Sequence, residues 1–365
     1  MYISEQSGHH QASLALEKAI LKKDRSSSVL NINAFRYTSP IMERLVHKAY
    51  MEVVKKRPEI WGYLYDNPEI VKKTERLRDF VHNINSGKFA KLIEKFRPDA
   101  VACTQAFPCG IMADYKRRHR ADIPLIAVLT DYAPHAYWIY ENVDTYVVPS
   151  PEIGRAFIKK GVPEHKIKTL GMPIDPIFNE PLNKNEIYGK IGFSPEKPVV
   201  LIMGGAQGIG PNERLIRALN GFGKDLQVIV VTGINAGLFR RIKKIQSSAG
   251  KKLLPLEFAR NVHELMEISD VIITKAGGLT TAEALAKLLP MIILNPLPGQ
   301  EDLNTKMLME KGIAVKAQNE HEAVGQLENL LGISDKAGKM REAMRTNAKP
   351  YSSSDIAKLL LGSIN

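Results

Sequence analysis

Cysteine is scarce in this 365-residue chain: Cys103 and Cys109 are the only two. Two thiols build no disulfide framework, and their spacing matches no zinc site, so a reducing compartment is the simple expectation. Long apolar runs are missing as well. Nothing approaches the roughly 20 consecutive residues that a membrane-spanning helix needs. No signal peptide opens the chain, because Glu5 and Gln6 follow at once. His263-Glu264 and His321-Glu322 do not continue to the second histidine of a zinc protease motif. There is no helix-turn-helix, RNP-type or zinc-finger pattern, and no low-complexity tract or short repeat.

What remains is globular in composition. Hydrophobic residues make up 44% and charged residues 25%, with a mean hydropathy of -0.18. The length is comfortable for two ordinary domains. The formal net charge is +12 and the pI about 9.4. Such an excess of cations favours an anionic partner such as nucleic acid, acidic lipid or a phosphorylated ligand, although a solvated basic surface gives the same numbers.

The dominant pattern is a short apolar run followed by a helical stretch, repeated. In the first half Val29–Ile32, Ala100–Cys103, Leu125–Leu129 and Tyr146–Val148 read as strands, with helices over about Ser13–Lys23, Pro68–Asn85 and Ile153–Lys160. Met1–Ser4 leaves room for only a stub of a first strand, or the start is internal. In the second half Val199–Met203, Val228–Thr232, Val271–Thr274 and Met291–Leu294 are continuous apolar runs, as parallel strands buried on both faces require. Glu213–Asn220 and Thr281–Lys287 between them have helical period. The expected fold class is therefore α/β with parallel sheets. A proline-dense stretch opens at Gly171-Met172-Pro173 and reads as a linker. It divides the chain into 1–170, a linker at 171–197, a second domain at 198–350 and a closing helix within 351–365.

Three loops carry chemistry. Met203-Gly204-Gly205-Ala206-Gln207-Gly208-Ile209-Gly210 follows a strand and precedes a helix, where glycine lets a ligand approach the backbone and a helix N-terminus favours negative charge. Alone it reads equally as a tight turn. In the segment from Asp270 to Glu283, strand, glycine turn and helix start follow in order. Thr280 and Thr281 are candidate caps, and Glu283 stands in the expected first turn, able to accept two hydrogen bonds from a ribose diol. The third loop, Pro296-Leu297-Pro298-Gly299-Gln300-Glu301-Asp302-Leu303-Asn304, offers polar side chains where a sugar could sit.

Together these loops resemble the C-terminal half of the glycosyltransferase family containing the monogalactosyl- and glucosyl-diacylglycerol synthases, with the peptidoglycan N-acetylglucosaminyltransferase as a distant relative. The first half agrees. Ser7-Gly8-His9-His10-Gln11-Ala12-Ser13 is similar to the family's Gly-x-Gly-His-x-x-Ala-Ala loop, with Gln6 in place of its first glycine and Ser13 in place of its second alanine. Arg97-Pro98-Asp99, Thr130-Asp131 with His135 and Trp138, and Gly171-Met172-Pro173-Ile174 fall in the family's order.

The resemblance implies two Rossmann-like domains facing across a cleft, the GT-B type, and transfer of a hexose from a UDP-sugar to diacylglycerol or a related lipid with inversion. It implies a donor site made by Gly205, Gln207, Gly208, the backbone near Ala259, Gly278, Thr280, Glu283, Gln300 and Glu301. Asp131 would be the general base and His9 its helper, with Gly8, Trp61, Tyr65, His135 and Trp138 toward the acceptor and the membrane. No Asp-x-Asp pair occurs, so neither a metal nor another cofactor is expected. Between Ile41 and Asn85 aromatics such as Tyr50, Trp61 and Tyr65 interleave with cations such as Lys55, Arg57 and Arg78. That is the make-up of a peripheral contact with an anionic membrane, expected at the cytoplasmic face of the cell membrane, or of an ordinary amphipathic helix. The competing functions are a peptidoglycan-type N-acetylglucosaminyltransferase, a UDP-sugar epimerase, and a non-catalytic nucleic-acid-binding protein. Only the charge suggests the last, so no nucleic-acid partner is expected.

Overall fold

The computed structural model describes residues 1–3, 5, 7–39, 87–133, 135–208, 213–223, 225–246, 250–296, 299–332 and 335–364. Trp61, Tyr65, the aromatic-cationic stretch around them and the helix expected at Pro68–Asn85 lie outside the described residues. The chain divides into two compact units. One comprises Met1–Pro176, Pro298–Gln300 and Tyr351–Asn365, the other Ile177–Leu297 and Glu301–Pro350.

The first unit is built on four parallel strands, β1 (Val101–Cys103), β2 (Leu125–Val128), β3 (Thr145–Val148) and β4 (Ile167–Thr169), in that spatial order. The helix Gly8–Lys23 starts where the Ser7 side chain accepts the His10 N–H, and it buries Ala12, Ala15, Leu16 and Ala19. The helix Ser352–Gly362 returns to this unit from the far end of the sequence. Leu16, Ile126, Val128, Val147, Ile356 and Leu360 form one core cluster. Two buried hydroxyls fix the returning helix: Ser352 donates to the Met172 carbonyl and Ser353 to that of Ile174.

Val29–Ile32 forms no strand. Tyr2 and Asn33 make an isolated parallel bridge instead, with the Tyr2 N–H on the Ile32 carbonyl at 3.1 Å. The reason is local. Asn31 spends its side chain on Ser13 and Glu17, and Asn33 caps the short helix Ala34–Thr38, so the run turns away before a ladder can form.

The second unit holds six parallel strands: β5 (Val199–Met203), β6 (Gln227–Val231), β7 (Lys252–Leu256), β8 (Val271–Thr274), β9 (Met291–Leu294) and β10 (Ala314–Ala317). Their order is β10-β9-β8-β5-β6-β7. From β5 the chain builds outward through β6 to β7, then recrosses and builds the other way from β8. The doubly wound order therefore reverses between β5 and β8, where open α/β sheets form a crevice at the carboxyl ends of their strands. Every residue of β5, β6, β8 and β9 is buried, which accounts for their almost wholly apolar composition, with Gln227 and Thr274 the polar residues at strand ends. The stretch expected as a linker contains the helix Lys184–Ile191, which buries Ile187 and places the Tyr188 hydroxyl on the Ile268 carbonyl at 3.1 Å. Among the described residues no helix is long and apolar enough to cross a membrane.

Candidate active site

In the first unit the chemistry gathers at the carboxyl edge of the sheet. His9 lies in the first turn of the helix Gly8–Lys23, behind the exposed Gly8, rather than in a loop. Its Nδ1 is 3.0 Å from the Thr104 carbonyl oxygen, after β1, and 2.6 Å from Thr130 Oγ1, after β2. A carbonyl only accepts, so Nδ1 carries the proton and Nε2 keeps its lone pair. Thr104 returns the contact, donating its hydroxyl to the His9 carbonyl at 2.8 Å. Burial pushes the imidazole pKa down to about 4, with the Thr104 carbonyl opposing, so His9 is neutral at pH 7.

Asp131 follows Thr130 and is 2% exposed. One oxygen accepts the Ala133 N–H at 3.0 Å, which makes the carboxylate the cap of the next turn. The other accepts the Gln300 side-chain amide at 2.7 Å. Gln300 clusters with this first unit, and its side chain, expected on the hexose, bonds this carboxylate in the structure. His135 is buried nearby and also neutral. Burial first, then the Lys160 charge and the neighbouring His9 imidazole, lower its pKa to about 3. Trp138, expected at the acceptor or membrane face, is 1% exposed and packs near the His135 ring. Its indole is core, because the short turn Ala136–Trp138 folds it inward, so it offers no ring for insertion into a bilayer.

In the second unit the expected donor residues lie on loops at the carboxyl ends of β5, β7, β8 and β9. Since the strands are parallel, all four loops share one edge. Gly205 and Gly208 have positive φ, +67° and +60°. A Cβ on Gly208 would lie 2.1 Å from the Thr232 carbonyl oxygen. That glycine is required by the close approach of the loop after β6, which the Ile234 N–H joins to the Ala206 carbonyl at 2.9 Å. Gln207 lies between them, and half-buried Ala259 follows β7.

Beyond β8 the helix begins three residues earlier than its threonines suggest. Gly277 is the N-cap, Gly278 the first helical residue, and the Thr281 hydroxyl bonds back to the Gly278 carbonyl at 2.8 Å. Thr280 and Thr281 are therefore helical rather than caps, and Glu283 falls in the second turn, half-buried. The amides preceding Thr281 remain at the crevice, where a helix N-terminus attracts phosphate. Glu301 is buried and paired with Lys275, the residue that follows β8.

Three side chains at these edges had no assigned role: Thr104 and Thr130, which hold His9, and Lys275. The sequence signal available was position, since Thr104 and Lys275 directly follow β1 and β8 and Thr130 stands two residues after β2. Among the described residues no group of three or more His, Cys, Asp or Glu is placed to hold a metal ion.

Residues 9–174 match the family described as monogalactosyldiacylglycerol (MGDG) synthase, and residues 199–360 match the glycosyltransferase family 28 C-terminal domain. The processive diacylglycerol beta-glucosyltransferase of Bacillus cytotoxicus is 30% identical over 354 residues, covering 97% of this chain and 90% of that protein. Among solved structures, Acinetobacter baumannii MurG aligns with a TM-score of 0.59 at 18% identity, covering 78% of this chain and 79% of its own. S. aureus MnaA, solved with UDP, aligns with a TM-score of 0.58 at 15% identity over 95% of this chain and 92% of its own. These likenesses carry the fold, two parallel-sheet α/β domains of the GT-B type. The chain belongs to the glycosyltransferase family of the monogalactosyl- and glucosyl-diacylglycerol synthases.

Proposed function

We propose that this protein transfers a hexose from a UDP-sugar to diacylglycerol with inversion at the anomeric carbon. The observation that carries the donor half is the switch point between β5 and β8, bordered by the Gly205–Gly208 loop and the open N-terminus of the helix Gly278–Ala286. MnaA's bound UDP supports a UDP donor, and the relatives' naming supports diacylglycerol as acceptor and a β product. A β product from an α-linked UDP-hexose is inversion.

Gly205, Gln207, Gly208, Gly278 and Thr280 would border the diphosphate, the backbone at Ala259 the uracil, Glu283 the ribose, and Gln300 and Glu301 the hexose. The acceptor oxygen attacks the anomeric carbon, and the bond from that carbon to UDP breaks. UDP leaves with the electron pair, stabilised by amides and the helix dipole. The hydroxyl proton passes to the Asp131 carboxylate once the acceptor displaces Gln300 from it. His9, held neutral, would help position that base rather than take the proton itself. The absence of an Asp-x-Asp pair supports a mechanism without a metal. The cationic excess and the stretch around Trp61 and Tyr65 support peripheral attachment to an anionic membrane, on the cytoplasmic face where UDP-sugars are made.

The test is an assay of the purified protein with diacylglycerol vesicles and a panel of labelled UDP-sugars, resolved by thin-layer chromatography. Label moving into the lipid fraction is expected. Conversion of UDP-sugar without acceptor would favour an epimerase, and salt-sensitive binding to DNA but not to anionic vesicles a nucleic-acid-binding protein.

A further inference from the structure

Lys275 directly follows β8 beside the switch point, and its ammonium pairs with the carboxylate of Glu301, the second residue of the helix Gln300–Glu310. Glu301 is 7% exposed, too deep to stay charged cheaply without a counter-ion. Glycines frame the lysine. A Cβ on Gly205 would stand 3.2 Å from Lys275 Cε, and one on Gly277 3.8 Å from its Nζ. The helix bearing Glu301 is fastened to the same loop a second time, where buried Asn304 donates its amide to the Ala276 carbonyl at 2.8 Å. The Thr305 hydroxyl, on the Glu301 carbonyl at 2.6 Å, fixes the backbone that carries the carboxylate. Glu301 is thus held from its backbone and from its side chain, and the side-chain hold is Lys275.

We propose that Lys275 is a positioning residue for the donor sugar. It holds the Glu301 carboxylate aimed at the hexose hydroxyls, and it does not itself bind the diphosphate. This rests on reading the loops after β8 and β9 as the donor site. The ammonium is already paired with a buried carboxylate, so moving it to a phosphate would give up that pair. A carboxylate accepts from two vicinal hydroxyls at once, which a neutral or rotated side chain does less well. Loss of the lysine charge should therefore be felt at the sugar and not at the nucleotide.

Calorimetry with UDP and with UDP-glucose separates the two. Lys275→Met is expected to bind UDP within about twofold of the unsubstituted protein and UDP-glucose roughly tenfold or more weakly, the loss usual for one charge-assisted hydrogen bond. Lys275→Arg should recover most of that loss. Glu301→Gln should match Lys275→Met, and the double variant should be no worse than Glu301→Gln, because both changes remove one unit. Lys275→Gln, which keeps a polar head, replaces methionine if that variant does not fold. An equal fall in affinity for UDP and UDP-glucose would overturn the proposal by placing Lys275 on the diphosphate. Unchanged affinity for both, or additive losses in the double variant, would overturn it as well. An unsubstituted protein that binds no UDP would instead remove the donor-site reading on which the proposal stands.

Discussion

Asp131→Asn isolates the proposed proton acceptor with little change of shape. The carboxylate now accepts from the Ala133 N–H at 3.0 Å and the Gln300 amide at 2.7 Å. Asparagine keeps the first bond through its oxygen. Its nitrogen then meets the Gln300 nitrogen, donor against donor, until Gln300 turns its amide over and accepts instead. Both charge-assisted bonds become neutral ones, a difference of about 2 kcal/mol, less than the stability usual for a folded domain, so the folded state should survive. Transfer loses its base, an effect of about 100-fold or more, or roughly 2.7 kcal/mol of barrier at 1.36 kcal/mol per tenfold. Three readings on one preparation check this: transfer rate into lipid, melting temperature, and UDP affinity. The expectation is a collapsed rate with the other two nearly intact. Near wild-type transfer would refute the reasoning and leave His9 as the leading base. If the two residues act as one unit, Asp131→Asn with His9→Ala should be little worse than either alone.

Glu283→Ala should weaken UDP binding tenfold or more in a folded protein, because bonds to the ribose worth roughly 1.5–3 kcal/mol each are lost, and calorimetry reads it directly. Gly208→Ala should destabilise the second unit by about 2 kcal/mol or more, seen as a lower denaturation midpoint, since its Cβ would sit 2.1 Å from the Thr232 carbonyl oxygen at positive φ. His9 and His135 titrate near 4 and 3 in the folded chain against 6.5 otherwise. The unfolded chain therefore binds more protons below about pH 6.5. The stability held as neutral imidazole is complete above that pH and is lost as pH falls toward the folded values, so the melting temperature should drop between pH 7 and 5, and His135→Gln should flatten the drop. Vesicle flotation should rise with anionic lipid and fall with salt, each surface cation near the bilayer contributing about 1 kcal/mol; indifference to lipid charge would remove the electrostatic reading.

The strands legible in the sequence were the central ones. β5, β8 and β9 are buried on both faces and appear as unbroken apolar runs with their ends in place. The strands that escaped are edges. β4 carries an exposed Lys168, β7 opens with an exposed lysine and contains Pro255, and β10 includes Lys316, the polar and proline-bearing make-up that keeps an edge from pairing further. At the sites, glycine loops and isolated titratable residues could be named because their types are unusual after a strand. What joins them could not. Nothing local says that Thr104 and Thr130, 26 positions apart, both meet His9, or that Lys275 pairs with Glu301 across a strand and a loop. The burial of Trp138 is likewise not legible locally, since an aromatic beside polar residues looks alike in a core turn and at a membrane face.

The most direct test of the proposed reaction is the anomeric configuration of its product. Purified protein would be given UDP-glucose and diacylglycerol vesicles, the lipid fraction extracted, and the anomeric proton coupling read by NMR. A β-linked glucosyl lipid, formed only when the acceptor is present, is the predicted result. An α-linked lipid, or sugar recovered only in the aqueous phase, would contradict inverting transfer to diacylglycerol.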